Sequence, residues 1–238
     1  MSRIVVSIAT YNERENLPEL VAGIHEFLPG ADILVVDDNS PDGTGQLADE
    51  MAAADPRVQV LHRAGKLGLG TAIIAAMRHA IAHDYDYHIN MDADFSHHPR
   101  YLPALVGGMD RADVMIGSRY VKGGGVENWP WRRQLSSRAV NLLACVLLRI
   151  PARDTSGAYR CYRVSKLKEL NFDGIWSRGY SFQEEILYRC RRVGCRLGET
   201  PIIFADRRKG KSKVNAREAV RSIGILLGLG LYSLLGWE

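Results

Sequence analysis

Through the first half of the chain, short apolar, largely β-branched runs alternate with longer amphipathic ones. That alternation is what a parallel sheet flanked by helices requires. The strand-like runs lie at residues 4–8, 33–36, 58–61, 88–91 and 113–117, and the helix-like runs at 16–27, 45–54, 69–83 and 99–109. Pro29-Gly30 stops the first helix, and Asn39-Ser40-Pro41-Asp42-Gly43-Thr44 is turn chemistry that leads into the second. Gly123-Gly124-Gly125 interrupts the alternation and reads as a mobile loop.

In an open α/β sheet, ligands bind outside the carboxyl ends of the strands. Three polar clusters follow strands here: Tyr11 to Glu13, Asp37-Asp38, and Asp92 to Ser96. The pattern predicts that they share one rim. Asp92 and Asp94, separated by Ala93, suit a hard divalent cation, because Mg²⁺ takes one or two carboxylates plus waters and substrate phosphate oxygens. The pair points to nucleotide chemistry.

With 238 residues and 46% hydrophobic content, the chain can bury the core of one large domain. We expect a catalytic domain over residues 1–215 and a C-terminal apolar helix over 216–238. The net charge of +4 is unevenly spread. Arg207, Arg208, Lys209, Lys211, Lys213, Arg217 and Arg221 crowd a segment whose acids are Asp206 and Glu218. With no aromatic platform beside it, this patch favours anionic lipid or phosphate over nucleic acid.

Two apolar stretches stand in the second half. Residues 142–150 continue a helical run that Arg132, Arg133, Arg138, Arg149 and Arg153 flank, with Trp129 and Trp131 upstream. Such a segment suits a membrane surface. Residues 223–235 form a second run, shorter than the roughly 20 residues a spanning helix needs. The N-terminus does not read as a signal peptide, so the catalytic body is expected in the cytosol. Cys145, Cys161, Cys190 and Cys195 show no CxxC spacing and read as reduced packing thiols.

Several features have simpler readings. Lys66-Leu67-Gly68-Leu69-Gly70 lacks Walker spacing, and no GxGxxG follows the first strand, which disfavours a P-loop ATPase or a dinucleotide-dependent dehydrogenase. Gly68 and Gly70 serve either close backbone packing at a helix entry or nucleotide contact. Asp37 and Asp38 either cap a turn or bond a base or ribose. Glu184 and Glu185 sit where a helix dipole favours acids and where a catalytic carboxylate is equally placed. His97 and His98 read as loop residues, since a hard oxygen site does not call for imidazole.

Five strings together resemble the dolichol-phosphate (polyprenol-phosphate) mannosyltransferases of glycosyltransferase family 2. They are Thr10-Tyr11-Asn12-Glu13-Arg14-Glu15-Asn16, Val35 through Thr44, Gly65 through Gly70, Met91 through Pro99, and Gly117-Ser118-Arg119-Tyr120. The match continues through Asp154-Thr155-Ser156-Gly157, Tyr180 to Glu185 and Asp206 to Lys213.

The resemblance implies a GT-A fold, Rossmann-like and mainly parallel, with interfacial amphipathic helices in the C-terminal part. It implies inverting, metal-dependent transfer of mannose from GDP-mannose to a polyprenyl (dolichyl) phosphate at the cytoplasmic face of a membrane, with a separate membrane subunit as a conceivable partner. Nucleotide contacts fall on Ala9, Tyr11, Glu13, Val36, Asp38, Asp92, Ala93 and Asp94, and Mg²⁺ or Mn²⁺ on Asp92, Asp94 and Ser96. Arg119, Arg207 and Lys213 fall on positions facing the diphosphate or the acceptor phosphate; Asp94, Arg119 and Arg207 are the implied catalytic set. Arg119, Arg133 and Ser137 are the candidates for the acceptor phosphate. Ala9 departs from the family, which has proline there. Two rivals stay open: a transferase using a UDP-sugar, and a non-catalytic membrane-surface subunit on the same fold.

Overall fold

The computed structural model describes residues 2–179, 181–205 and 216–235. Its central sheet begins with β1 (Ile4–Thr10), β2 (Asp32–Asp37), β3 (Val58–His62) and β4 (Tyr87–Asp92), all mutually parallel. The helices between them are α1 (Leu17–Phe27), α2 (Thr44–Ala54) and α3 (Leu69–Ala82). β1 is apolar on both faces because both are covered. Its residues Val6 and Ile8 pack with Leu17, Leu20 and Ile24 of α1, whereas Val5 on the other face joins Ala72, Ala76 and Ala80 of α3. This is the period-2 alternation of a strand buried between two helical layers.

The stretch expected as one helix over 99–109 is divided. A 3-10 turn at Pro99–Tyr101 leads into α4 (Leu102–Gly107), and a second 3-10 turn follows at Gly108–Asp110. Pro103 fits only within the first turn of a helix, which explains the restart at Leu102.

Beyond β5 (Val114–Ser118), Gly123 and Gly124 lie in the expected loop, but the third glycine opens a strand. Gly125–Val126 is a short strand, β6, whose partner is later in the chain. A side chain at Gly124 would collide with the Ser118 carbonyl, so the glycine is required by a close backbone approach. The helical run expected to hold residues 142–150 is α5 (Trp131–Leu148), and Arg132, Arg133 and Arg138 lie within it.

The remaining elements are β7 (Arg160–Arg163), α6 (Val164–Leu167), α7 (Phe182–Arg192), β8 (Leu197–Pro201), β9 (Ile203–Phe204) and α8 (Ala216–Leu235). The seven-stranded sheet runs β3-β2-β1-β4-β7-β5-β8, with β7 antiparallel to both neighbours and β6 paired with β9 apart from it. Leu226 and Leu229 of α8 share a core with Ala144 and Leu148 of α5 and Ile186 and Leu187 of α7. All four cysteines are free thiols, as their spacing suggested.

Candidate active site

Register brings the three polar clusters to one rim. Ala9 pairs with Val36 on one side and Asp92 on the other, so the loops after β1, β2 and β4 emerge side by side about 5 Å apart. β1 is also where the chain's connections change direction across the sheet, the place where such folds leave a crevice. Each of the three loops turns through a left-handed residue: Asn12, Asn39 and Phe95, with φ of 61°, 56° and 61°. Asparagine tolerates that conformation; an aromatic residue there is strained, and strain of this kind is concentrated at functional sites.

The turn at Phe95 folds Ser96 back onto Asp94. The Ser96 main-chain N–H donates to Asp94 Oδ1 at 3.1 Å and its hydroxyl to the same oxygen at 2.5 Å. Ser96 therefore orients Asp94. His97 lies in the loop as expected, yet it is 2% exposed and stacks on Tyr159 at 5.0 Å, with Phe204 edge-on at 5.4 Å. Its Nδ1 accepts the Asp92 main-chain N–H at 3.2 Å. Burial pushes its pKa down to about 4, so the ring is neutral and able to accept. His98 instead caps the following 3-10 turn by accepting from the Arg100 N–H.

The donor set fits a hard divalent ion. Asp92 has a partly exposed side chain and Asp94 a nearly buried one that accepts from the Ser96 main chain and hydroxyl. Among the described residues no cluster of three His, Cys, Asp or Glu forms an all-protein cage. Two carboxylates alone suit an ion shared with phosphate oxygens, as Mg²⁺ and Mn²⁺ are.

The adjacent acids after β2 divide their work. Asp37 is a turn residue: its carboxylate accepts from Ser40 Oγ at 2.5 Å, Ser40 N at 3.0 Å and Thr10 Oγ1 at 3.0 Å. Asp38 is bound through Oδ1 to Arg63 Nη1 at 2.7 Å, and Oδ2 has no hydrogen bond among the described residues. The Val36 side chain is core, packed beside Val5 and Leu34. Any ligand contact at Val36 is left to its main chain. The Tyr11 ring lies under Lys66 Nζ at 4.5 Å, and Glu13 is tied to the loop after β2 through its N–H to Thr44 Oγ1 at 3.0 Å.

Gly68 and Gly70 serve packing. Gly68 has φ +105°, and a side chain there would meet the Arg178 carbonyl; one at Gly70 would strike the Phe182 ring.

On the far side of the rim, Arg119 follows β5 and is gripped by Asp154. Nε and the main-chain N–H both reach Oδ2, at 2.7 and 2.9 Å, while Nη2 reaches Oδ1 at 2.7 Å and Ser156 Oγ at 2.8 Å. Asn141 of α5 holds the 155–156 turn by accepting both N–H groups, at 2.7 and 3.1 Å. Ser137, one helical turn earlier, accepts the Tyr120 hydroxyl at 2.7 Å, and Arg133 stacks on Trp129 at 3.9 Å. Arg133, Ser137 and Asn141 thus line one face of α5 turned towards the Arg119 loop. Arg207 and Lys213 lie outside the described residues, as does Tyr180.

Glu184 and Glu185 also separate. Glu185 is structural, accepting from the N–H groups of Trp176 and Ser177 and from Arg189. Glu184 is buried, with Oε2 lacking a hydrogen-bond partner among the described residues, and burial raises its pKa to about 7.

A mainly parallel α/β sheet thus carries the Asp92–Asp94 loop and the Arg119–Asp154 pair at one carboxyl-end rim. The glycosyl transferase family 2 model matches residues 5–170, and the chain belongs to that family. It is 46% identical over 223 residues to the polyprenol monophosphomannose synthase of Mycolicibacterium smegmatis, covering 92% of this chain and 84% of that one. It is 45% identical over 213 residues to the undecaprenyl-phosphate mannosyltransferase of Micrococcus luteus, covering 90% and 88%.

Among solved structures, glucosyl-3-phosphoglycerate synthase from Mycobacterium tuberculosis, in complex with Mn²⁺, UDP and glucosyl-3-phosphoglycerate, superposes with TM-score 0.65. The identity is 18%, over 98% of this chain and 79% of that one. A mannosyltransferase from Pyrobaculum calidifontis, in complex with GDP-Man and Mn²⁺, gives TM-score 0.60 at 16% identity, over 99% and 74%. At these identities the likeness is one of fold, and it is the GT-A fold the sequence resemblance implied.

Proposed function

We propose that this enzyme transfers mannose from GDP-mannose to a polyprenyl phosphate with inversion, giving a polyprenyl β-mannosyl phosphate. The observation that carries the reading is the pairing of the Asp92–Asp94 loop with the Arg119 pocket on one rim, in a chain nearly half identical to two lipid-phosphate mannose transferases.

The Asp92 and Asp94 carboxylates would hold Mg²⁺ or Mn²⁺, and the bound ion supplies Lewis-acid neutralisation of the diphosphate. The residues supply positioning. An acceptor phosphate oxygen attacks the anomeric carbon from the face opposite the diphosphate; the carbon–oxygen bond to GDP breaks and its electron pair leaves with GDP. The nucleophile is already anionic at neutral pH, so no general base is needed and orientation dominates. Arg119 presents Nη1 to phosphate while Asp154 fixes its plane, and Arg133 and Ser137 reach from α5. Arg207 and Lys213 are assigned to the diphosphate through the family resemblance.

The prenyl tail needs an apolar surface. Trp131, Leu135, Leu142 and Val146 form an exposed stripe along α5, and Ile223, Leu227 and Leu231 form another along α8. Among the described residues no helix is long and apolar enough to cross a membrane. α5 carries three arginines and no acid, which suits an anionic leaflet. This reading puts the enzyme on a membrane surface at the cytoplasmic face, where a soluble nucleotide sugar meets a lipid acceptor.

Calorimetry in Mn²⁺ tests the donor: GDP binds and UDP binds far more weakly. The reverse order would assign the site to a UDP-sugar.

A further inference from the structure

Arg63 belongs to none of the strings that carried the resemblance, yet it is fixed at three points. Its N–H donates to the Asp37 carbonyl at 2.8 Å, Nη1 to Asp38 Oδ1 at 2.7 Å and Nη2 to Thr71 Oγ1 at 2.5 Å. Thr71 passes the contact on, donating to the Gly68 carbonyl at 2.7 Å. The guanidinium therefore joins the ends of β2 and β3 to the first turn of α3. The Asp38 and Arg63 side chains are only 9% and 10% exposed. A nearly buried Asp–Arg pair is costly to desolvate and is weak evidence for stability by itself. Its consequence here is geometric: one Asp38 oxygen is spent on Arg63, and the other is left on the rim beside the Tyr11 loop.

We infer that Arg63 is a positioning residue for nucleoside recognition, holding Asp38 as an oriented carboxylate whose second oxygen accepts an N–H or O–H of the bound nucleoside. The inference rests on the reading of this rim as the nucleotide site. A carboxylate only accepts; once protonated it loses that capacity on one oxygen. The charged groups facing Asp38 are Arg63, Asp37 and Lys66. Burial and Asp37 push its pKa up, while Arg63 and Lys66 pull it down, so removing Arg63 leaves the upward influences opposed by Lys66 alone. Asp38 then takes up a proton more readily as the pH falls. Binding that needs the anion weakens in that direction.

The experiment is GDP titration calorimetry in Mn²⁺ at pH 6, 7 and 8 on the full chain, with thermal unfolding of each variant. Affinities are taken as ratios to the unmutated enzyme, so that titration of GDP itself cancels. For Arg63→Gln we expect a loss of about tenfold at pH 6 that shrinks towards pH 8. Arg63→Lys, which retains charge, keeps a flat ratio. Asp38→Asn binds weakly at every pH. Repeating Asp38→Asn with 2′-deoxy-GDP separates the two donors: the penalty disappears if the ribose hydroxyl is the partner and persists if the base is. If Asp38→Asn weakens GDP while Arg63→Gln matches the unmutated enzyme, or is weakened equally at all three pH values, the positioning role is overturned. If Asp38→Asn leaves GDP binding unchanged, the nucleotide reading of the rim itself fails.

Discussion

Arg119 and Asp154 are locked face to face: two guanidinium nitrogens and the Arg119 main-chain N–H all converge on one carboxylate that is fully buried. Bidentate pairing fixes the plane of the guanidinium as well as its position, which is what recognition of a phosphate needs.

Breaking that pair from the Asp154 side leaves a buried cation with a neutral amide. Asp154→Asn is expected to cost about 3–5 kcal/mol of stability, measured by denaturant unfolding. Arg119→Ala tests function: acceptor turnover falls far more than GDP affinity, and equal loss of both would reject its assignment to the acceptor phosphate.

His97 acts on the carboxylate loop through the Asp92 N–H. His97→Phe preserves ring packing on Tyr159 and removes the acceptor. We expect Mn²⁺ affinity to drop by about ten- to a hundredfold, the usual effect of losing a group that orients a metal ligand. Electron paramagnetic resonance titration of free Mn²⁺ reads this without requiring turnover.

Glu184 sets a pH dependence of stability. Its folded pKa of about 7 lies above the ordinary glutamate value, so its neutral form is favoured in the fold. The corresponding stability is fully present below about pH 4.5 and is lost as the pH rises through 7. Glu184→Gln removes that loss. Relative to the unmutated enzyme, the variant should gain about 2 kcal/mol between pH 5 and pH 8, read from unfolding curves at both values.

The outer stripe of α5 is exposed, with Leu142 and Val146 both about two-thirds accessible. A Leu142→Glu, Val146→Glu double variant should therefore unfold like the parent in solution. On vesicles containing anionic lipid its binding should fall by about a hundredfold, since both apolar contacts are replaced by charges facing a negative surface. Unchanged vesicle binding would remove this face from the membrane contact.

The first four strands were legible because each is a short apolar run whose alternate residues face different helices, as Val5 and Val6 do. β7 was not. Its first residue, Arg160, is fully buried with Nη1 on the Gln183 carbonyl and Nη2 on that of Thr155, so a charge in the sequence conceals a core strand. β6 and β9 are two residues each and carry no period to read. The carboxylate pair was legible because its residues are neighbours in the chain. Arg119 with Asp154 was not legible as a pair, because the partners are 35 residues apart and meet only through the antiparallel strand between β4 and β5. That His97 lies in a loop was legible, but its burial was not, because its aromatic neighbours Tyr159 and Phe204 come from distant parts of the chain.

The most direct test of the central claim is incubation of the full chain with GDP-[¹⁴C]mannose and a polyprenyl phosphate in Mn²⁺, with and without chelator, beside Asp94→Ala. The account predicts organic-extractable label with stoichiometric GDP release. Chelator abolishes the transfer, and the variant lacks it while unfolding at the parent's temperature. Lipid labelling that survives both chelation and Asp94→Ala, or none at all from GDP-mannose while a UDP-sugar labels the lipid, would contradict it.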